Sequence, residues 1–129
     1  MATYALLRKA IARRAYGPAL EALEAVPPPL RVHSGPSLRF MHAYLLYEVG
    51  PDDEDTNRYL HAAEELEDLV QTDERWVARH PEVFYYLARA QYADLQYDRG
   101  LANMRQYVRL ADRAARTARA ATGAPEGSP

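Results

Sequence analysis

The arrangement in this chain closest to a known chemistry is Asp53-x-Asp55-x-Asn57, followed by Glu64. Oxygen-bearing side chains at those four positions have the spacing of a calcium-binding loop. Arg58, however, stands where such a loop needs glycine for its sharp turn, and the apolar pattern reads as a helix from about residue 56. The expected role of the segment is therefore an acidic helix start. His33, His42, His61 and His80 are scattered. His61 and Glu64 share a helical face, but no second half of a metal site accompanies them, and no HExxH pattern occurs. Ser34 and Ser37 lie in Ser-Gly-Pro-Ser, which is turn chemistry and not a nucleophile elbow. There is no glycine-rich phosphate loop and no catalytic triad. The absence of cysteine excludes disulfides, thiol catalysis and every cysteine-based metal site. The expectation is a protein that is not an enzyme and uses no cofactor and no metal.

The elements that would position any site are helical. With 129 residues and 48% hydrophobic composition, the chain suits one domain with a real core. From Thr3 to Arg14, Leu6, Leu7, Ala10 and Ile11 recur at helical intervals, and from Pro18 to Val26 so do Ala19, Leu20, Leu23 and Val26. Tyr16-Gly17-Pro18 separates the two, and Pro27, Pro28 and Pro29 end the second. Ser37 is the expected N-cap of a third helix, marked by Leu38, Phe40, Met41, Tyr44, Leu45 and Val49 and stopped by Gly50-Pro51. Asp52 to Asp55 supply negative charge before a fourth helix, which carries Tyr59, Leu60, Ala63, Leu66, Leu69 and Val70 on one face and Glu64, Glu65, Glu67 and Asp68 on the other. Residues 72–80 form a further helical turn, with Thr72 as cap and Trp76 and Val77 facing in. A fifth helix runs from about Pro81 to Leu95, and a sixth from about Asp98 to the stop at Gly123. The fold class expected is all-α, in three antiparallel pairs. The domain spans residues 1–122, and the small, polar tail of residues 123–129 is expected to be disordered.

The third pair, PEVFYYLARAQYADLQYDRGLANMRQYVRLAD, resembles a tetratricopeptide repeat. Phe84, Leu87 and Ala88 match the aromatic-x2-Leu-small signature of that family's first helix. Tyr97 sits at the turn aromatic, Gly100 at the small position of the second helix and Met104 at its large apolar position. Tyr107 departs from the pattern, which prefers alanine there, and Asp112 replaces the proline that ends the second helix, so the helix should run on as a long cap. The first pair resembles the pattern through Leu6, Tyr16, Ala19 and Leu23, and the second more distantly through Phe40, Ala43 and Tyr47. The resemblance covers about residues 3–112. It implies a short solenoid whose first helices line a concave groove that grips a peptide or helix of a partner protein. Met41, Leu45, Glu48, Tyr85, Arg89, Tyr92 and Gln96 are the groove residues expected from it, against the alternative that the tyrosines only pack between helices. Tyr and Arg are the residue types that anchor interfaces. The family's asparagine-and-lysine clamp for C-terminal carboxylates is missing, its positions in the third pair being Tyr86 and Ala93.

Charge is unevenly spread: residues 1–47 sum to +4, residues 48–82 to −9 and residues 83–129 to +3. The last helix carries Arg105, Arg109, Arg113, Arg116 and Arg119 beside a small-residue stripe of Ala111, Ala114, Ala115, Ala118 and Ala121. Its expected use is to cap the array. A second use is a dimer or charged-partner face made of Arg105, Arg109, Ala111, Ala115, Arg116 and Ala118, so a homodimer stays open. A net charge of −2 disfavours nucleic acid as the partner, although the arginine-rich helix keeps that alternative open. No stretch reaches the length of a membrane span, and arginines interrupt the apolar residues near the start, so no membrane and a cytoplasmic location are expected. Fifteen arginines against one lysine, with abundant alanine, point to a GC-rich genome and a bacterial source.

Overall fold

The computed structural model describes residues 2–27, 35–51 and 57–121, the side chains of residues 2–4 excepted. Pro28, Pro29, His33, Ser34, the acidic run Asp52 to Asp55 with its calcium-like half, and the tail from Gly123 lie outside the described residues. Within them the chain is all-α: α1 (Ala2–Ala12), α2 (Tyr16–Glu24), α3 (Pro36–Val49), α4 (Arg58–Thr72), α5 (Glu74–Arg79), α6 (Glu82–Ala93) and α7 (Tyr97–Ala121). Neighbours along the chain pack on each other: α1 on α2, α2 on α3, α3 on α4, α4 on α5 and α6, and α6 on α7, with α3 also touching α6.

One continuous core joins these helices. Leu7 of α1 and Leu20 and Leu23 of α2 meet Leu38, Leu45 and Leu46 of α3. These continue into Leu66 and Leu69 of α4, Val77 of α5, and Val83 and Leu87 of α6. Burying each such side chain contributes about 1.5–3 kcal/mol. Leu6 is 66% exposed, and the inward direction of α1 is taken by Leu7, 2% exposed.

The hairpins α1/α2 and α6/α7 turn in the same way. The Ala15 amide donates to the Ala10 carbonyl and that of Arg14 to Ile11, both at 2.9 Å. At the end of α6, Gln96 donates to Gln91 at 2.8 Å and Leu95 to Tyr92 at 3.1 Å. Each is a Schellman closure, which needs one residue in the left-handed region. Arg14 and Leu95 take that place, with φ of 59° and 63°. An aromatic residue, Tyr16 or Tyr97, then opens the next helix. Gly100 lets α7 approach α6: a Cβ there would lie 3.0 Å from Tyr92 and 3.1 Å from the Ala88 carbonyl.

Two helix starts differ from expectation, those of α3 and α5, and α4 gains a cap not foreseen. Gly35 is the N-cap of α3, with φ of 93°, and Pro36 follows, so Ser37 falls inside the first turn. Asn57 caps α4 by accepting from the Leu60 amide at 3.1 Å, while its amide group reaches Asp94 at 2.7 Å and ties α4 to the α6/α7 turn. Thr72 does not cap α5 but ends α4, its hydroxyl donating to the Asp68 carbonyl at 2.9 Å.

Polar staples cross the helices. Arg39 of α3 binds Asp68, Asp73 at 3.0 Å and Thr72 at 3.2 Å. His42 sits between Glu24 of α2 and Glu65 of α4. Gln91 is fully buried yet satisfied: its amide donates to Glu67 at 2.8 Å, and its carbonyl accepts from Asn103 at 2.8 Å. That network joins α4, α6 and α7.

Candidate groove between the first helices of the pairs

A cavity of about 470 Å³ opens between α1, α3, α5 and α6. Arg8, Ile11 and Ala12 from α1 form one wall, and Phe40, Met41 and Tyr44 from α3 form the floor. Trp76 and His80 beside α5 and Glu82 and Tyr86 of α6 form the other wall. The sequence places these rings locally. Phe40, Tyr44 and Tyr47 are spaced so that they fall on one face of α3, and Glu82 and Tyr86 do the same on α6.

The rings are in contact. Phe40 meets Tyr86 at 5.6 Å between centroids and Trp76 at 5.9 Å, while Tyr44 meets Tyr86 at 5.2 Å and Tyr16 at 6.1 Å. Trp76 stacks on His80 at 4.2 Å. Edge-to-face pairs of this kind fix ring orientation beyond what area burial does. The ladder continues past the cavity: Tyr85 lies 5.1 Å from Tyr86 and 5.3 Å from Tyr107 of α7. All of these rings are half-buried, with one side in the core and the other toward solvent.

Burial holds the Tyr44 phenol above its ordinary range, helped by its hydrogen bond with Tyr16 and by the charge of Glu48. Tyr86 is raised chiefly by burial as well. Both are neutral donors at physiological pH. The wall is thus apolar rings with hydroxyl edges, suited to holding an apolar side chain and hydrogen-bonding the backbone that carries it. Ser37 also lines the cavity, and His80 is bonded to Glu82 at 3.1 Å. Among the described residues no group of three or more His, Asp or Glu side chains is placed to hold a metal ion, and no helix is long and apolar enough to cross a membrane.

The groove residues expected from sequence divide into three groups. Met41 lines the cavity with one edge. Glu48 is half-buried and acts electrostatically on Tyr44 and Tyr86, while Tyr85 and Arg89 stand together one ring beyond the cavity. Leu45 is corrected: it is 0% exposed, facing the core and not the groove. Tyr92 and Gln96 do not line the cavity and stand at the α6/α7 turn. Tyr92 contacts Tyr97 at 6.1 Å and packs over Gly100, and Gln96 binds Asp94 and Arg99 in the α6/α7 turn. Tyr85, Arg89 and Tyr92 share a helical face, but Tyr92 stands at the α6/α7 turn, 36% exposed and away from the cavity.

Sequence reasoning assigned Phe40 and Tyr44 to a helix face without seeing that their outer edges stay open. It missed Tyr86, Trp76, Ile11 and Arg8.

On α7, Arg105 and Arg109 are exposed, Arg109 bonding Gln106 at 2.6 Å. Ala111 is half-buried. Ala115, Arg116 and Ala118 belong to a stretch, Asp112 to Ala121, that is exposed throughout, with Arg116 pairing Asp112 at 3.3 Å. Comparison of the chain with family models, curated proteins and solved structures finds no match.

Proposed function

We propose that the chain is a non-enzymatic adaptor that binds a peptide segment or helix of a partner protein in the groove between α1, α3, α5 and α6. The observation that carries this reading is the groove itself, an open apolar hollow of about 470 Å³ whose walls are rings already held in place. Rings fixed by their neighbours lose little freedom on binding, so more of the contact energy is left for the partner. In this reading the chain is a short tetratricopeptide-like solenoid working in the cytoplasm. The pairs are α1/α2, α3/α4 and α6/α7, and their first helices, α1, α3 and α6, share the groove. The matching turns after α1 and α6, and the close approach at Gly100, support it.

The test is selection of a random peptide display library on the purified chain, followed by calorimetry with the selected peptides on wild type and Ala12→Phe. Ala12 is exposed and lines the groove, so the added ring blocks it without entering the core. Loss of binding in Ala12→Phe is expected. Peptides that bind both proteins equally, or no selected peptides at all, would contradict the assignment.

A second reading is self-assembly through α7. Leu101 and Val108 are 42% and 58% exposed, two turns apart on one line of that helix. Light scattering of the chain, of the chain without residues 111–129 and of a Leu101→Asp, Val108→Asp variant separates the two; a wild-type monomer removes self-assembly.

A further inference from the structure

Arg89 is held in an unusual way for a surface arginine. Its guanidinium carbon lies 5.1 Å from the Tyr47 ring centroid on α3 and 5.4 Å from that of Tyr85 on α6, and its Nη1 donates to the Tyr85 hydroxyl at 3.1 Å. Three other arginines meet acids, Arg39 binding Asp68 and Asp73, Arg99 approaching Glu67 and Arg116 pairing with Asp112, while Arg109 bonds Gln106. Arg89 has no carboxylate within ion-pairing distance among the described residues, and it is exposed. A guanidinium carries five N–H donors in a planar fork. Tyr85 and Tyr47 engage part of this set, and the tyrosines already restrict the side chain, so an incoming carboxylate meets remaining donors fixed beforehand.

Its position relates it to the groove. Tyr85 touches Tyr86 at 5.1 Å, and Tyr86 is groove wall. A segment lying along α3 and α6 over Tyr44 and Tyr86 therefore reaches Arg89 within about one turn. Glu48 acts on Tyr44, whereas at Tyr86 the opposing positive charge of Arg89 acts more strongly than Glu48, so the groove becomes more favourable to an acid toward Arg89. α6 continues a full turn beyond Arg89 to Ala93, so nothing at that point requires the bound chain to end.

We infer that the segment held in the groove carries an acidic side chain, next to a large apolar residue, that pairs with Arg89 between Tyr47 and Tyr85. This rests on the groove reading and adds the chemistry of the occupant.

The test uses peptides selected from a random display library on the full chain, resynthesised with amidated C-termini. Affinities are measured on wild type, Arg89→Met and Ala12→Phe, with the peptide acid kept or changed to its amide. The expected result is an enriched Asp or Glu beside a large apolar residue, affinity about tenfold weaker in Arg89→Met, and no further loss when the acid is also removed. Peptides without an acid that bind Arg89→Met as well as wild type, yet are lost in Ala12→Phe, overturn the inference and leave the groove standing. Binding that requires a free C-terminus overturns it in favour of a terminal carboxylate. Binding indifferent to both variants, or no selected peptide, overturns the inference and the groove together.

Discussion

Tyr44 of α3 and Tyr86 of α6 meet edge to face, with centroids 5.2 Å apart and planes at 87°. This contact joins the second helical pair to the third and forms the middle of the groove wall. Because it buries two phenols, it also makes the fold sensitive to alkali.

Burial raises both phenols above their ordinary value of 10.0, with Tyr44 also raised by Tyr16 and Glu48. Below about pH 10 both states keep these protons, and the contribution to stability is fully present. Above it the unfolded chain releases them first, so unfolding is favoured as pH rises toward the folded-state values. Melting temperature should fall above about pH 10 and fall less in a Tyr44→Phe, Tyr86→Phe double variant. Thermal melts across alkaline pH check this; equal slopes for the two proteins would contradict it.

Gly100 fixes the distance between α6 and α7. Its would-be Cβ meets a tyrosine ring at 3.0 Å and a backbone carbonyl at 3.1 Å, and the carbonyl cannot move aside without the helix. Gly100→Val should destabilise the chain by about 2 kcal/mol, the usual cost of overpacking. Urea unfolding measures it, and an unchanged midpoint would contradict the close approach.

Leu95 occupies the left-handed position after α6 although it is 70% exposed. Such a conformation costs a non-glycine residue about 1–2 kcal/mol. Leu95→Gly should therefore raise stability by about 1 kcal/mol, while Leu95→Ala, which keeps the strain, should not. Parallel urea titrations of the two variants distinguish them.

Gln91 satisfies Glu67 and Asn103 from a fully buried position. Gln91→Leu should cost about 1–3 kcal/mol because it leaves polar groups on α4 and α7 without their partner. Equilibrium unfolding checks this. Asn103→Ala should cost less, since Gln91 keeps its bond to Glu67.

The helices were legible in the sequence because the apolar spacing is strong and the breaks at Gly50-Pro51 and after Val26 are chemically unambiguous. Helix ends were less legible. Gly35 and Pro36 displaced Ser37 as the start of α3, and Asn57 took the cap of α4, because side chains of similar capping ability lie close together in both turns. The groove was legible only in part. Periodicity gives the face of a helix, but it does not tell which half of that face a neighbour covers. Leu45 and Met41 are one turn apart on α3, yet only Met41 reaches the opening. Tyr92 has the right spacing from Tyr85, but it stands at the α6/α7 turn against Tyr97 and Gly100, away from the cavity. Phe40, Tyr44 and Tyr86 pack on the core with one side only, which spacing alone does not reveal.

The central claim, that the groove between the first helices receives a partner segment, is tested most directly by the fluorescence of Trp76. It is the single tryptophan of the chain and it lines the groove. Titrating a selected peptide into the wild-type chain should shift Trp76 emission with the saturation curve found by calorimetry, and Ala12→Phe should show neither the shift nor the binding. A peptide that binds tightly by calorimetry while leaving Trp76 emission unchanged, and that binds Ala12→Phe equally well, would place the interaction elsewhere on the molecule.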